Sequence, residues 1–211
     1  MSKANLRLLA LAGTAALLLT AVWPPPPALT QPSPPKADKR TPSALPKTPA
    51  ERDRTLSDLY ALLATAEDEG TARAVAEGIE RVWTHSGSAT VDLLLGRATK
   101  AASQKNYERA LKLLDHVVEQ APDFTEGWNR RAYVHFQRNE LAQALGDLRR
   151  TLALDPNHFK ALDGLAQVLR EIGQKKAALD VLERLNDVHP YWPGAATAIE
   201  ELSREVEGQR T

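Results

Sequence analysis

Three prolines, Pro122, Pro156 and Pro190, stand 34 residues apart each time. A spacing that recurs without drift marks stacked structural units, each burying its apolar face against the next. Alanines keep the same step: Ala110, Ala144 and Ala178 lie twelve residues before the prolines, and Ala98, Ala132 and Ala166 twelve before those alanines. Small residues at two fixed offsets mark the close approach of two helices. Between them fall chain breakers at one phase: Asn106 after Lys105, Asn139 before Glu140 and Gly173 before Gln174. Each unit therefore reads helix, turn, helix, turn, and the period places three of them at 91–124, 125–158 and 159–192.

The apolar pattern supports this independently. Tyr107, Ala110, Leu111, Leu114, Val117 and Val118 form a broad helical stripe. Leu141, Ala144, Leu145, Leu148, Thr151 and Leu152 repeat it, and the third copy weakens at its ends, Lys175 and Asn186. One further step back predicts a degenerate hairpin over 55–90, with Ala64 and Ala76 in phase and Ser88 where the proline would stand. Tyr60, Leu63, Val75, Ile79, Val82 and Trp83 supply its stripes. After the repeats, the segment 191–211 predicts a capping helix from Gly194 to about Glu207, charged on its outer side as a solenoid end must be.

The N-terminal quarter has a different composition. Ten of the 14 prolines fall between residues 24 and 49. The formal net charge is zero, but residues 1–54 carry eight basic side chains against three acidic ones, so the repeats hold the matching excess of acids. Lys3 and Arg7 precede an apolar run from Leu8 to Trp23, the layout of an export signal within residues 1–30. Two outcomes fit: a signal peptide cut before Gln31, or an uncleaved membrane anchor through residues 5–23. Either places the remainder in the periplasm, exported or anchored in the inner membrane. Residues 31–54 have too few large apolar side chains to bury a core and read as a disordered, proline-rich basic linker.

Several function classes are excluded or disfavoured. Without cysteine there is no disulfide framework, thiolate zinc site or cysteine nucleophile. Zero net charge lacks the basic surface that displaces counterions from phosphate, so no nucleic-acid partner is expected. The five histidines, His85, His116, His135, His158 and His189, form no His-x-x-x-His pair, and the reading assigns them surface or turn roles rather than a metal site. The acid pairs Asp68-Glu69 and Glu200-Glu201 point about 100° apart on a helix and read as solvated faces. No phosphate-cradling glycine loop or nucleophile elbow is present. The expectation is a chain that is not an enzyme and carries no cofactor.

These residues resemble the tetratricopeptide repeat (TPR), with Trp128, Ala132, Ala144, Leu148 and Pro156 in the family's signature places in the middle unit. The third unit keeps Leu162, Ala166, Gly173, Ala178 and Pro190, and the stretch from Trp83 to Asn129 is similar to exported alphaproteobacterial repeat proteins. The resemblance implies an all-α superhelix whose first helices line a concave groove that binds a partner peptide or protein. Carried over by position, the groove residues are Asn129, Arg130, Tyr133, Phe136 and Gln137, then Lys160, Asp163, Gln167 and Arg170. Asp92, Leu95, Thr99, Glu126 and Glu171 occupy further groove positions. Asn129 and Gln167 would bond a peptide backbone, while Tyr133 and Phe136 would offer apolar pockets, although an aromatic at helical spacing equally fits hairpin core. Chaperone-binding relatives grip a terminal carboxylate, but Thr99 stands where that clamp needs asparagine, so the clamp is not expected. A second reading is an envelope-tethered structural protein whose linker binds the membrane or cell wall while the repeats self-associate.

Overall fold

The computed structural model describes Leu45, Pro46 and residues 48–208; the segment expected to be a signal peptide or a membrane anchor through residues 5–23, and most of the expected linker, lie outside the described residues. Among the described residues the chain is helical throughout, with no strand. Three hairpins form its centre: α3 (Ala89–Ser103) with α4 (Tyr107–Gln120), α5 (Thr125–Gln137) with α6 (Leu141–Leu154), and α7 (Phe159–Glu171) with α8 (Lys175–Val188). Before them lie α1 (Pro49–Ala64) and α2 (Glu69–Trp83), and after them α9 (Ala195–Gly208).

The 34-residue step survives in the backbone itself. Lys105, Asn139 and Gly173 take positive φ values of 58°, 60° and 78° at the same phase of each hairpin. That left-handed residue lets the next N–H reach back over the helix end: Asn106 to Ala101 O, Glu140 to His135 O and Gln174 to Leu169 O, at 2.9, 2.9 and 2.8 Å. The periodic alanines are buried where the paired helices touch. The prolines follow the end of each second helix, and the carbonyls of the first two are bonded too. Arg150 and the Trp128 indole donate to Pro122 O, and one step later Arg184 donates to Pro156 O.

The first hairpin departs from expectation in three ways. It begins at Pro49, inside the segment read as linker, because Thr48 and Glu51 form a reciprocal capping box with proline in the first helical turn. It is also out of phase. A full period before Tyr107 falls on Arg73, yet α2 starts at Glu69, and Ala64, in phase with the buried Ala98, Ala132 and Ala166, is exposed.

Third, it does not extend the stack from α3. Its buried side chains, Leu59, Leu63, Ile79, Val82 and Trp83 among them, share one cluster with Phe159, Leu162, Leu182 and Leu185 of α7 and α8 and Leu202 of α9. Those of α3 and α4 join Phe124, the N-cap of α5, and Val134 of α5 instead. The hairpin therefore lies against the inter-repeat turns: Trp83 stacks on His158 with centroids 3.7 Å apart, and the Tyr191 hydroxyl donates to Glu67 O at 2.8 Å. Leu93 of α3, left uncovered, is 54% exposed.

Of the three left-handed positions, Lys105 carries a Cβ with no side-chain contact that requires it, in a conformation costing an L-residue about 1 kcal/mol. Lys105→Gly should therefore raise unfolding free energy by about 0.5–1 kcal/mol in urea titrations, and Gly173→Ala should lower it by a similar amount. An unchanged midpoint in both would show that these turns do not carry that strain.

Candidate functional site

Between α5 and α7 the concave face opens into a cleft of about 300 Å³. The helical repeat puts residues 129–130, 133 and 136–137 on one face of α5, and 160, 163–164 and 167 on one face of α7. From α5 the lining is Asn129, Arg130, Tyr133, Phe136 and Gln137; from α7 it is Lys160, Asp163, Gly164 and Gln167. Leu148 and Ala132 contribute from beneath, and Trp192 from the turn before α9. A second cleft of about 180 Å³ adjoins it between α3 and α5, lined in part by Thr99, Ala102 and Ser103. Arg130 and Tyr133 line both.

Eight of the nine expected groove residues thus meet in one cleft. Arg170 does not: it is exposed towards α9, where its charge acts on Glu205. Glu171 is exposed outside the cleft, and Leu95 is core. Asp92 accepts hydrogen bonds from the Ser86 backbone and hydroxyl, fixing the turn before α3. Arg131, adjacent to Arg130, turns the other way to Asp147 and Asp115 and lies over the Trp128 ring. Phe136 is half-buried, packed on the core and lining the cleft at once. Tyr133 is 52% exposed.

Beneath the cleft lies a polar chain that sequence reasoning missed. Glu126, placed by the pattern in the groove, is instead buried under it at 1% exposure. Its carboxylate accepts from Arg130 Nε at 2.5 Å and from Asn129 Nδ2 at 2.9 Å, so one N–H of the Asn129 amide is taken by the protein itself. His158, expected at a turn surface, is fully buried. Its Nδ1 accepts from the Ala161 N–H and caps α7, which leaves the ring proton on Nε2, 3.2 Å from Glu126. On the far face of the imidazole lies Trp83, whose indole N–H is shared between the Tyr60 hydroxyl and Asp155. Tyr60 donates to Asp155 at 2.6 Å; burial first, then that carboxylate, push its phenol well above the ordinary range and keep it protonated.

His189 is also buried, edge-on to Phe159 and Trp192, and burial lowers its proton affinity. Asp68 and Glu69 are exposed, and Asp68 is the N-cap of α2. Among the described residues no group of three or more His, Cys, Asp or Glu side chains is placed to hold a metal ion.

The hairpin chemistry and the 34-residue backbone step together define an α-solenoid of stacked helical hairpins. A family model described as Tetratricopeptide repeat matches residues 95–159 and again 130–196. A TPR repeat-containing protein of Rhizobium etli is 33% identical over 174 residues, 82% of each chain. The chain belongs to the tetratricopeptide repeat family. Solved structures agree in fold: the Sgt2 TPR domain from Aspergillus fumigatus has a TM-score of 0.55 at 20% identity, over 59% of this chain and 84% of that one. The first TPR of Spaghetti (RPAP3), bound to the HSP90 peptide SRMEEVD, has the same TM-score and identity over 58% and 98%. The TPR2B domain of yeast Sti1 in complex with pHsp70 has a TM-score of 0.51 at 18% identity, over 58% and 99%.

Burial disfavours ionisation of Glu126, but the His158 N–H and the Arg130 guanidinium outweigh it and hold the carboxyl at about 2, against an ordinary 4.5. A depressed carboxyl adds stability that is complete above the unfolded value and is lost as pH falls through the folded one. The window is therefore about pH 4.5 to 2, and the group's contribution is on the order of 3 kcal/mol. Glu126→Gln should flatten the fall of unfolding free energy across that window; an acid limb of unchanged steepness would assign the loss to other carboxylates.

Proposed function

We propose that the protein is a non-enzymatic adaptor that holds a segment of a partner protein in the concave cleft between α5 and α7, outside the cytoplasm. The observation that carries this is Tyr133, half-exposed on the wall shared by the two clefts. A rigid aromatic with a free hydroxyl offers large contact area at low entropic cost, and among the described residues no hydrogen-bond partner occupies that hydroxyl. Phe136 and Trp192 add apolar surface, while Gln137 and Gln167 supply amide donors and acceptors for an extended backbone. Related folds take an HSP90 peptide and pHsp70, which supports a peptide-shaped occupant here. Placement in the envelope rests on the basic residues Lys3 and Arg7 ahead of the apolar run 8–23.

Tyr133→Ala with Gln137→Ala removes contacts at the rim without disturbing the chain beneath. In-cell crosslinking and pull-down should recover the principal partner at least tenfold less well, with helical circular dichroism unchanged. Recovery equal to wild type would refute the groove. Fractionation with N-terminal sequencing should find either a mature chain starting at Gln31 in the periplasm or an intact chain in the inner membrane facing outward. Recovery wholly from the cytoplasm would refute export.

A further inference from the structure

Both cations of the cleft already have carboxylates of the chain itself. Arg130 is bound to the buried Glu126, and Lys160 Nζ lies 2.7 Å from Glu80 Oε2 of α2. Asp163, one turn along α7 from Lys160, is half-buried in the same wall, and its carboxylate accepts only from neutral donors, the Gln167 amide at 2.7 Å and the Trp192 indole. Among the described residues no lysine, arginine or histidine is in ion-pair contact with it. Trp192, Tyr133 and Phe136 line the same cleft.

We propose that this cleft selects a cationic residue in the partner, a lysine or arginine side chain seated against Asp163 among the aromatic rings. This deepens the groove-binding reading and rests on it. A ligand carboxylate would have to displace Glu80, or compete for Arg130 with a carboxylate 2.5 Å away. A ligand cation meets an acid without a counter-charge and π faces that attract cations when water is excluded. Burial raises the proton affinity of Asp163, opposed by the N–H groups of Trp192 and Gln167, and no cation contributes. The acidic excess of residues 55–211 adds long-range attraction of the same sign.

The test uses the full-length chain and three acetylated, amidated pentapeptides, Ala-Leu-Arg-Leu-Ala and its versions with Gln or Glu at the centre. Site occupancy is read from the Trp192 indole N–H resonance and affinity from calorimetry. The Arg peptide should bind about tenfold more tightly than the Gln peptide, and the Glu peptide more weakly still. Asp163→Asn should erase the preference for Arg over Gln while leaving the Gln peptide within twofold of wild type, with an unchanged melting profile. Glu80→Gln should tighten the Glu peptide by freeing Lys160. Equal binding of Arg and Gln peptides, tighter binding of the Glu peptide, or a preference that persists in Asp163→Asn overturns the inference while the groove reading stands. If no peptide moves Trp192 and Tyr133→Ala changes nothing, the groove reading falls and the inference with it.

Discussion

A fully buried carboxylate sets the terms for the rest of this molecule. Taking Glu126 out of water is affordable to the fold only if its oxygens are matched by charge and hydrogen bonds. The three partners come from two helices: Asn129 and Arg130 from the next turn of α5, and His158 from the cap of α7. The same carboxylate therefore orients two residues of the cleft wall and ties one repeat to the next. Because Nδ1 of His158 is occupied by the Ala161 N–H, the ring can serve Glu126 only through Nε2, which fixes its plane and presents its face to Trp83.

The N-terminal hairpin follows from that stack. A helix pair continuing the solenoid would have covered Leu93 and the open side of α3; instead α1 and α2 lie against the turns flanking α7, where aromatic and polar anchoring is denser. Trp83 brings its ring to His158 and its N–H to Tyr60 and Asp155, so its large apolar area is buried without an unsatisfied donor. Phe159 is enclosed by Trp83, His189 and Trp192, so the hairpin and the turn before α9 meet on one ring.

How much of this was legible in the sequence depended on whether the signal was periodic. The stacked hairpins were, because a constant step fixes the helix starts, the alanine contacts and the breakers Asn139 and Gly173, although in the first hairpin the left-handed residue is Lys105 and not Asn106. Most of the cleft wall was too, since side-chain direction follows from helical phase once the hairpins are placed. The placement of α1 and α2 was not. Their stripes give helices, but no local pattern distinguishes packing on α3 from packing on α7 and α8, which is decided by long-range contacts such as Tyr60 with Asp155. The capping box Thr48-Pro49-Ala50-Glu51 was readable and was masked by the proline-rich composition around it. Glu126 and His158 were misplaced at the surface for a common reason: each is polar, and only knowledge of the other makes its burial admissible.

The recognisable repeats are thus not the whole of the site. Glu80 belongs to α2, lies outside the segments that match the family, and neutralises the one lysine of the cleft wall. Trp83 fixes His158, which in turn donates to the carboxylate that holds Arg130. A solenoid cut back to its regular hairpins would keep its helical phase and lose the groups that decide the charge of its groove. With the hairpin in place, both cations are matched and Asp163 is left as the uncompensated charge. Without it, Arg130 would keep Glu126 but Lys160 would lose Glu80 and stand against Asp163 alone, so the cleft wall would go from a net negative charge to balance.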